Sequence, residues 1–172
     1  VIRRQPTKAY FRHSQRHLMG AFATTVQEFI RDEMSIKHPS AEWETEYNIA
    51  GTPIDIAGRD AGSLYLIELE WRRADPADNA AKLFRHLHTE DIESENVVVF
   101  QIFTNYYDLS RGGVSTKRKN AEFIGNLAAE MLSEVTYELV DFEIEPPKRG
   151  NERPQSWEDI ATEVVHTLSK QI

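Results

Sequence analysis

The sequence predicts an α/β domain, a mixed central sheet flanked by helices, on three observations. Apolar stripes at helical spacing alternate with short apolar runs rich in β-branched residues. Turn residues separate them at short intervals, and the order that results is α-β-β-β-α-β-α-β-α.

Each element carries its own signal. From His17 to about Ile36, the side chains of Leu18, Phe22, Val26, Phe29 and Ile30 make one helical stripe, with Gln27, Arg31 and Asp32 off it. After Pro39, the runs Glu46–Ala50 and Pro53–Ala57 read as a hairpin closed by Gly51-Thr52. Leu64–Trp71, entered from Gly62, is apolar on both faces until glutamates interrupt one of them, the pattern of a buried central strand. Asp75-Pro-Ala-Asp then sets a capping acid, a proline at the first helical position and a second acid. Together they start a helix to about His88 that buries Ala80, Leu83, Phe84 and Leu87. Asn96–Phe103 is the fourth strand. Ser110–Thr116 is a glycine-containing loop before a long helix whose apolar side runs through Ala121, Ile124, Ala128, Met131 and Leu132. Tyr137–Ile144 alternates as a fifth strand up to Pro146-Pro147. Ser156 caps a last helix buried through Trp157, Ile160, Val164 and Leu168.

With 172 residues, no repeat and no long linker, the chain reads as a single domain over residues 1–172, residues 1–16 forming a basic N-terminal arm. No apolar run approaches the roughly 20 residues of a membrane span, so a soluble, cytoplasmic (intracellular) protein with no membrane partner is expected. The start Val1-Ile-Arg-Arg-Gln-Pro has neither an initiator Met nor a signal-peptide apolar stretch, as an excised domain would. The absence of cysteine excludes disulfides, thiolate nucleophiles and zinc-thiolate sites. No Ser-His-Asp order, glycine-rich phosphate loop or dinucleotide fingerprint occurs, so no nucleotide cofactor is expected.

A net charge of -8 argues against nucleic acid until its distribution is considered. No acid precedes Glu28, while Arg3, Arg4, Lys8, Arg12 and Arg16 give that stretch +5; Arg111, Lys117, Arg118 and Lys119 add +4 between Asp108 and Glu122. Such segregation suits local basic contact surfaces beside acidic pockets, and equally suits solvated faces. Lys117-Arg-Lys sits where a helix begins, against the helix dipole but beside free backbone amides, a cradle for a DNA phosphate. Asn105-Tyr-Tyr reads as packing at a strand end. His86 and His88 read as partners of terminal carbonyls, and His13 and His17 as surface residues.

The chemistry concentrates on the third strand. Side chains alternate along a strand, so Glu68 and Glu70 share a face, with Ile67, Leu69 and Trp71 on the other. Two like charges on an apolar strand are costly, and a divalent cation relieves the cost. Hard carboxylate oxygens suit Mg²⁺. Asp55, with Ile54 and Ile56 facing away from it, supplies a third acid if its strand pairs antiparallel and brings it beside Glu68. Arg72 would share the Glu68 and Glu70 face if the strand continues, and Lys82 on the next helix could add a positive charge. Glu28 and Glu46 are further candidate ligands. The bland alternative for the trio is a salt-bridged strand end with Arg59, Arg72 or Arg73. Glycoside hydrolysis by paired acids lacks an aromatic platform around them.

Pro53-Ile-Asp55, followed 13 positions later by Glu68-Leu-Glu70, resembles the PD-(D/E)xK, or restriction-endonuclease-like, nuclease superfamily. The element order of that superfamily, helix, three-strand meander, helix, strand, is similar over nearly the whole chain. Ile54 separates Pro53 from Asp55, and Glu70 stands where lysine is usual, as glutamate does in some restriction enzymes of that superfamily. The resemblance implies a metal-dependent DNA endonuclease of restriction or repair type, using Mg²⁺ or Mn²⁺. Asp55 and Glu68 would be metal ligands, and Glu70, in the metal site with them, would orient or deprotonate the attacking water. Lys82 would replace the missing lysine charge, and Arg72, Arg111, Lys117, Arg118 and Lys119 would contact DNA. A homodimer would serve double-strand cutting. The alternative is a catalytically inactive nuclease-fold module that binds DNA or a protein partner.

Overall fold

The computed structural model describes residues 20–72, 75–89, 92, 94–148 and 151–172. The elements run α1 (Ala21–Lys37), β1 (Glu42–Ile49), β2 (Thr52–Arg59), β3 (Ser63–Glu70), α2 (Pro76–Thr89), β4 (Asn96–Thr104), a 3-10 turn at Asn105–Tyr107, α3 (Thr116–Met131), β5 (Val135–Phe142) and α4 (Trp157–Ser169). Order and type match the sequence expectation. The basic arm of residues 1–16, the predicted first turn of the opening helix and Arg73 lie outside the described residues.

The five strands form one sheet in chain order, β1-β2-β3-β4-β5. The β1-β2 and β2-β3 pairs are antiparallel, joined by short turns; β3-β4 and β4-β5 are parallel, so α2 and α3 must cross over between them. Strand β3 is therefore paired on both sides, and its inner positions have no solvent to meet.

The sheet separates two apolar layers. On one side Val26, Ile30 and Met34 of α1 and Trp157, Val164 and Leu168 of α4 pack on Ile56, Ile67, Leu69, Phe100 and Ile102. On the other, Leu83, Phe84 and Leu87 of α2 cover Leu64, Leu66, Val97, Val99 and Tyr137, with Ile124 and Ala128 of α3 against them. Gln27, read from the sequence as lying off the stripe, is buried. It occupies the i, i+4 position after Ala23, because the helix turns its sheet-facing side through Ala23, Gln27, Ile30 and Met34. Met131, expected to be buried, is exposed instead; the inner face of α3 runs through Arg118, Ala121 and Gly125.

At Gly125 α3 comes close to the sheet, since a methyl built there would lie 2.3 Å from the Tyr137 ring. The β2-β3 turn is organised by Asp60. Its Oδ1 accepts from the backbone N–H of Gly62 (3.2 Å) and Ser63 (3.0 Å), and its Oδ2 from the Tyr65 hydroxyl (3.0 Å). The Gly62 amide, with help from Tyr65 and Ser63 and against partial burial, holds the Asp60 carboxyl below the usual aspartate range.

Asp60→Ala is expected to lower unfolding free energy at neutral pH by less than about 1 kcal/mol, because solvent screens a carboxylate at this partly exposed turn. A depressed folded-state pKa stabilises above the unfolded value, about 3.9, and that contribution disappears as pH falls through the folded value. The gap between wild type and Asp60→Ala, measured by urea unfolding, should thus narrow below about pH 4.

Candidate functional site

The site begins where β2 and β3 part. Their ladder runs from Arg59↔Leu64 to Ile56↔Ile67. One residue further, the backbone N–H of Leu69 donates to Oδ2 of Asp55 at 2.8 Å, so a side-chain carboxylate serves where a strand carbonyl would. Leu69 is the residue between Glu68 and Glu70. The Asp55 carboxylate thus reaches the stretch of backbone that carries both glutamates.

A local irregularity allows this. Opposite Asp55 on β1, Glu46 adopts φ +57°, and the face alternation of β2 breaks there. Ile56 packs with the α1 and α4 layer, but Ile54 packs with the other, contrary to the expectation that both face the same way. From α1, the Gln27 amide donates to the backbone carbonyl of Asp55 and, at 3.4 Å, to Oε1 of Glu46, tying helix to strand at the same point.

Glu68 and Glu70 do share a face, as strand alternation requires. Both line one small cleft with Asn79 and Leu83 of α2 and Gln101 and Tyr137 of the neighbouring strands. Asp55, Glu68 and Glu70 are 6%, 5% and 0% exposed, which is far from the usual surface habit of acids. The Gln101 amide donates to Oε1 of Glu70 (2.9 Å), and the Tyr137 hydroxyl donates to Oε1 of Gln101 (2.8 Å). Burial, then the negative charges of Glu122 and Glu70, push the Tyr137 phenol above its ordinary range despite Arg118, so it remains a hydrogen-bond donor at any physiological pH.

Gln27, Gln101 and Tyr137 were not among the site residues expected from the sequence. The available signal was a lone amide inside Val97-Val-Val-Phe-Gln-Ile-Phe103, an apolar strand in which a polar side chain must find a buried partner.

Several expected residues stand elsewhere. Lys82 is exposed and pairs with Asp78 one turn earlier, away from the acids, because α2 turns Asn79, Ala80 and Leu83 inward instead. Arg72 does not extend the Glu68 and Glu70 face. The strand ends at Glu70, and Arg72 donates to the Pro146 carbonyl (2.6 Å), meets Glu145 (3.2 Å) and lies over the Tyr106 ring. Arg118 is buried, with its guanidinium 2.6 Å from Asp141 and stacked on Phe103, so it is a core tie rather than a surface DNA contact. Arg111, Lys117 and Lys119 are exposed, as expected. Glu28 is exposed on α1, and Arg59 is occupied by Tyr47.

Arg118→Ala should accordingly lose about 2 kcal/mol of stability in thermal or urea unfolding, through lost packing and a lost ion pair whose partner remains solvated. Lys117→Ala should move it by less than about 0.5 kcal/mol.

Among the described residues no group of three or more acids or histidines is arranged to hold a metal ion as it stands. No helix among them is long and apolar enough to cross a membrane. No family model, curated protein or solved structure matches this chain.

Proposed function

We propose that the chain is a metal-dependent DNA endonuclease of the restriction-endonuclease-like kind, with Asp55, Glu68 and Glu70 as its catalytic acids. The observation that carries this is the hydrogen bond from Leu69 N–H to Asp55, which brings the Asp55 carboxylate from β2 to the buried backbone between Glu68 and Glu70. Buried carboxylates of this density suit a hard divalent cation, and Asp55 and Glu68 would hold Mg²⁺ or Mn²⁺. When bound, the cation supplies Lewis acidity and neutralises charge on a phosphodiester.

The chain's own residues supply the rest. Glu70, held by Gln101, is oriented to accept a proton from water. The Asp55 carboxylate is held by the Leu69 amide, and its backbone by Gln27. Arg111 and Lys117, exposed on the loop before α3 and at its first turn, offer cations to DNA phosphates.

The test is incubation of duplex DNA with the purified chain in Mg²⁺, Mn²⁺ or chelator. Cleavage that requires the cation supports the proposal; intact DNA in every condition overturns it. A second reading, a nuclease-fold module that binds DNA or a protein without cutting, is favoured by Glu70 at the lysine position and by the pairing of Lys82 with Asp78. Binding in chelator with no cleavage in either metal would select it.

A further inference from the structure

Helix α3 leaves one apolar face open. Phe123, Leu127 and Met131 are 66%, 42% and 74% exposed and follow one another at i, i+4 and i+8. They form a single stripe opposite the buried Arg118, Ala121 and Gly125. The spacing is even about Leu127, so an antiparallel pair related by a two-fold axis there sets Phe123 of each copy against Met131 of the other and Leu127 against Leu127.

Charge follows the same symmetry. Exposed Lys119 lies towards the N-terminal end, where the first turn carries no acid, and exposed Glu130 and Glu134 lie at and just beyond the C-terminal end. Antiparallel contact of two α3 helices sets Lys119 of each copy against Glu130 and Glu134 of the other, opposite signs at both ends. Parallel contact would set like against like.

We propose that this face is the interface between two copies of the chain, with their α3 helices antiparallel and crossing at Leu127. A single helix pair falls at the low end of specific interface areas, so a reversible, concentration-dependent dimer is expected.

Sedimentation of the full 172-residue chain over about 1–200 µM tests this. The expected result is a concentration-dependent rise from 19.8 kDa towards twice that mass. Leu127→Glu, and separately Phe123→Glu in case the first variant fails to fold, should weaken the dimer at least about 100-fold with thermal unfolding unchanged. Lys119→Glu alone, and Glu130→Lys with Glu134→Lys, should each be monomeric, and their mixture should recover a dimer by matching charges. A wild type that stays monomeric at the highest concentration, or a dimer untouched by Leu127→Glu and Phe123→Glu, overturns the proposal. A mixture without recovery also overturns it. So does a dimer that appears only when residues 1–19 are deleted, which would assign the face to that segment. None of these outcomes depends on DNA cleavage.

Discussion

Glu68→Ala is expected to reduce Mg²⁺-dependent DNA cleavage by about 10³-fold while leaving cooperative unfolding in place. Lewis-acid stabilisation of a phosphoryl transition state is worth several kcal/mol, and about 4 kcal/mol is a factor of about 10³ in rate. Asp55→Asn separates charge from architecture at the neighbouring position. An amide oxygen can still accept from Leu69 N–H, so the strand junction survives, but the carboxylate charge is gone. Asp55→Asn should therefore melt close to wild type, and both variants should fail to cut. Initial cleavage rates in Mg²⁺ with parallel thermal melts decide the matter. Full activity in Glu68→Ala would remove the acids from the chemistry altogether.

Gly125→Ala is expected to be the most damaging single methyl addition on α3. Alanine in a helix interior ordinarily gains about 1 kcal/mol over glycine. Here the added carbon would press to 2.3 Å of the Tyr137 ring, and the neighbour is a rigid, buried side chain rather than the flexible end of a surface one. Overpacking of that kind costs about 1–3 kcal/mol, and the net loss should lower the melting temperature by several degrees, at about 2–4 °C per kcal/mol for a chain of this size. The displacement also has a chemical consequence. Tyr137 holds Gln101, and Gln101 holds Glu70, so the same variant should lower cleavage beyond what its stability loss explains. Tyr137→Leu in the same chain makes room for the methyl, and the double variant should be more stable than the sum of the two single losses implies. Simple additivity in a double-mutant cycle would show that helix and ring do not meet.

Which parts of this were legible beforehand follows from the range of the forces involved. The helices and strands were readable because apolar period is a local property: Leu83, Phe84 and Leu87 must share a helix face, and Glu68 and Glu70 a strand face, whatever surrounds them. The antiparallel meeting of β2 and β3 was readable from the short turn that joins them. Arg118 was misjudged for the opposite reason. Between two exposed lysines it looks like one of three equal cations, and only the packing of α3 on β4 and β5 puts it over Phe103 and beside Asp141. Arg72 depended on two residues more of strand, and β3 stops at Glu70.

By itself the sequence determined the α-β-β-β-α-β-α-β-α order, the three acids and the strand face that pairs two of them, since neighbours a few positions apart dictate these through backbone sterics and apolar period. Only the tertiary structure decided that Asp55 accepts from Leu69, that Gln101 and Tyr137 support Glu70, and that Lys82 and Arg118 spend their charges on Asp78 and Asp141. Those contacts join residues distant in the chain or turn on which side of a helix meets the sheet. Their partners are chosen by burial, because a polar group shut away from water must bond with whatever the fold brings within reach.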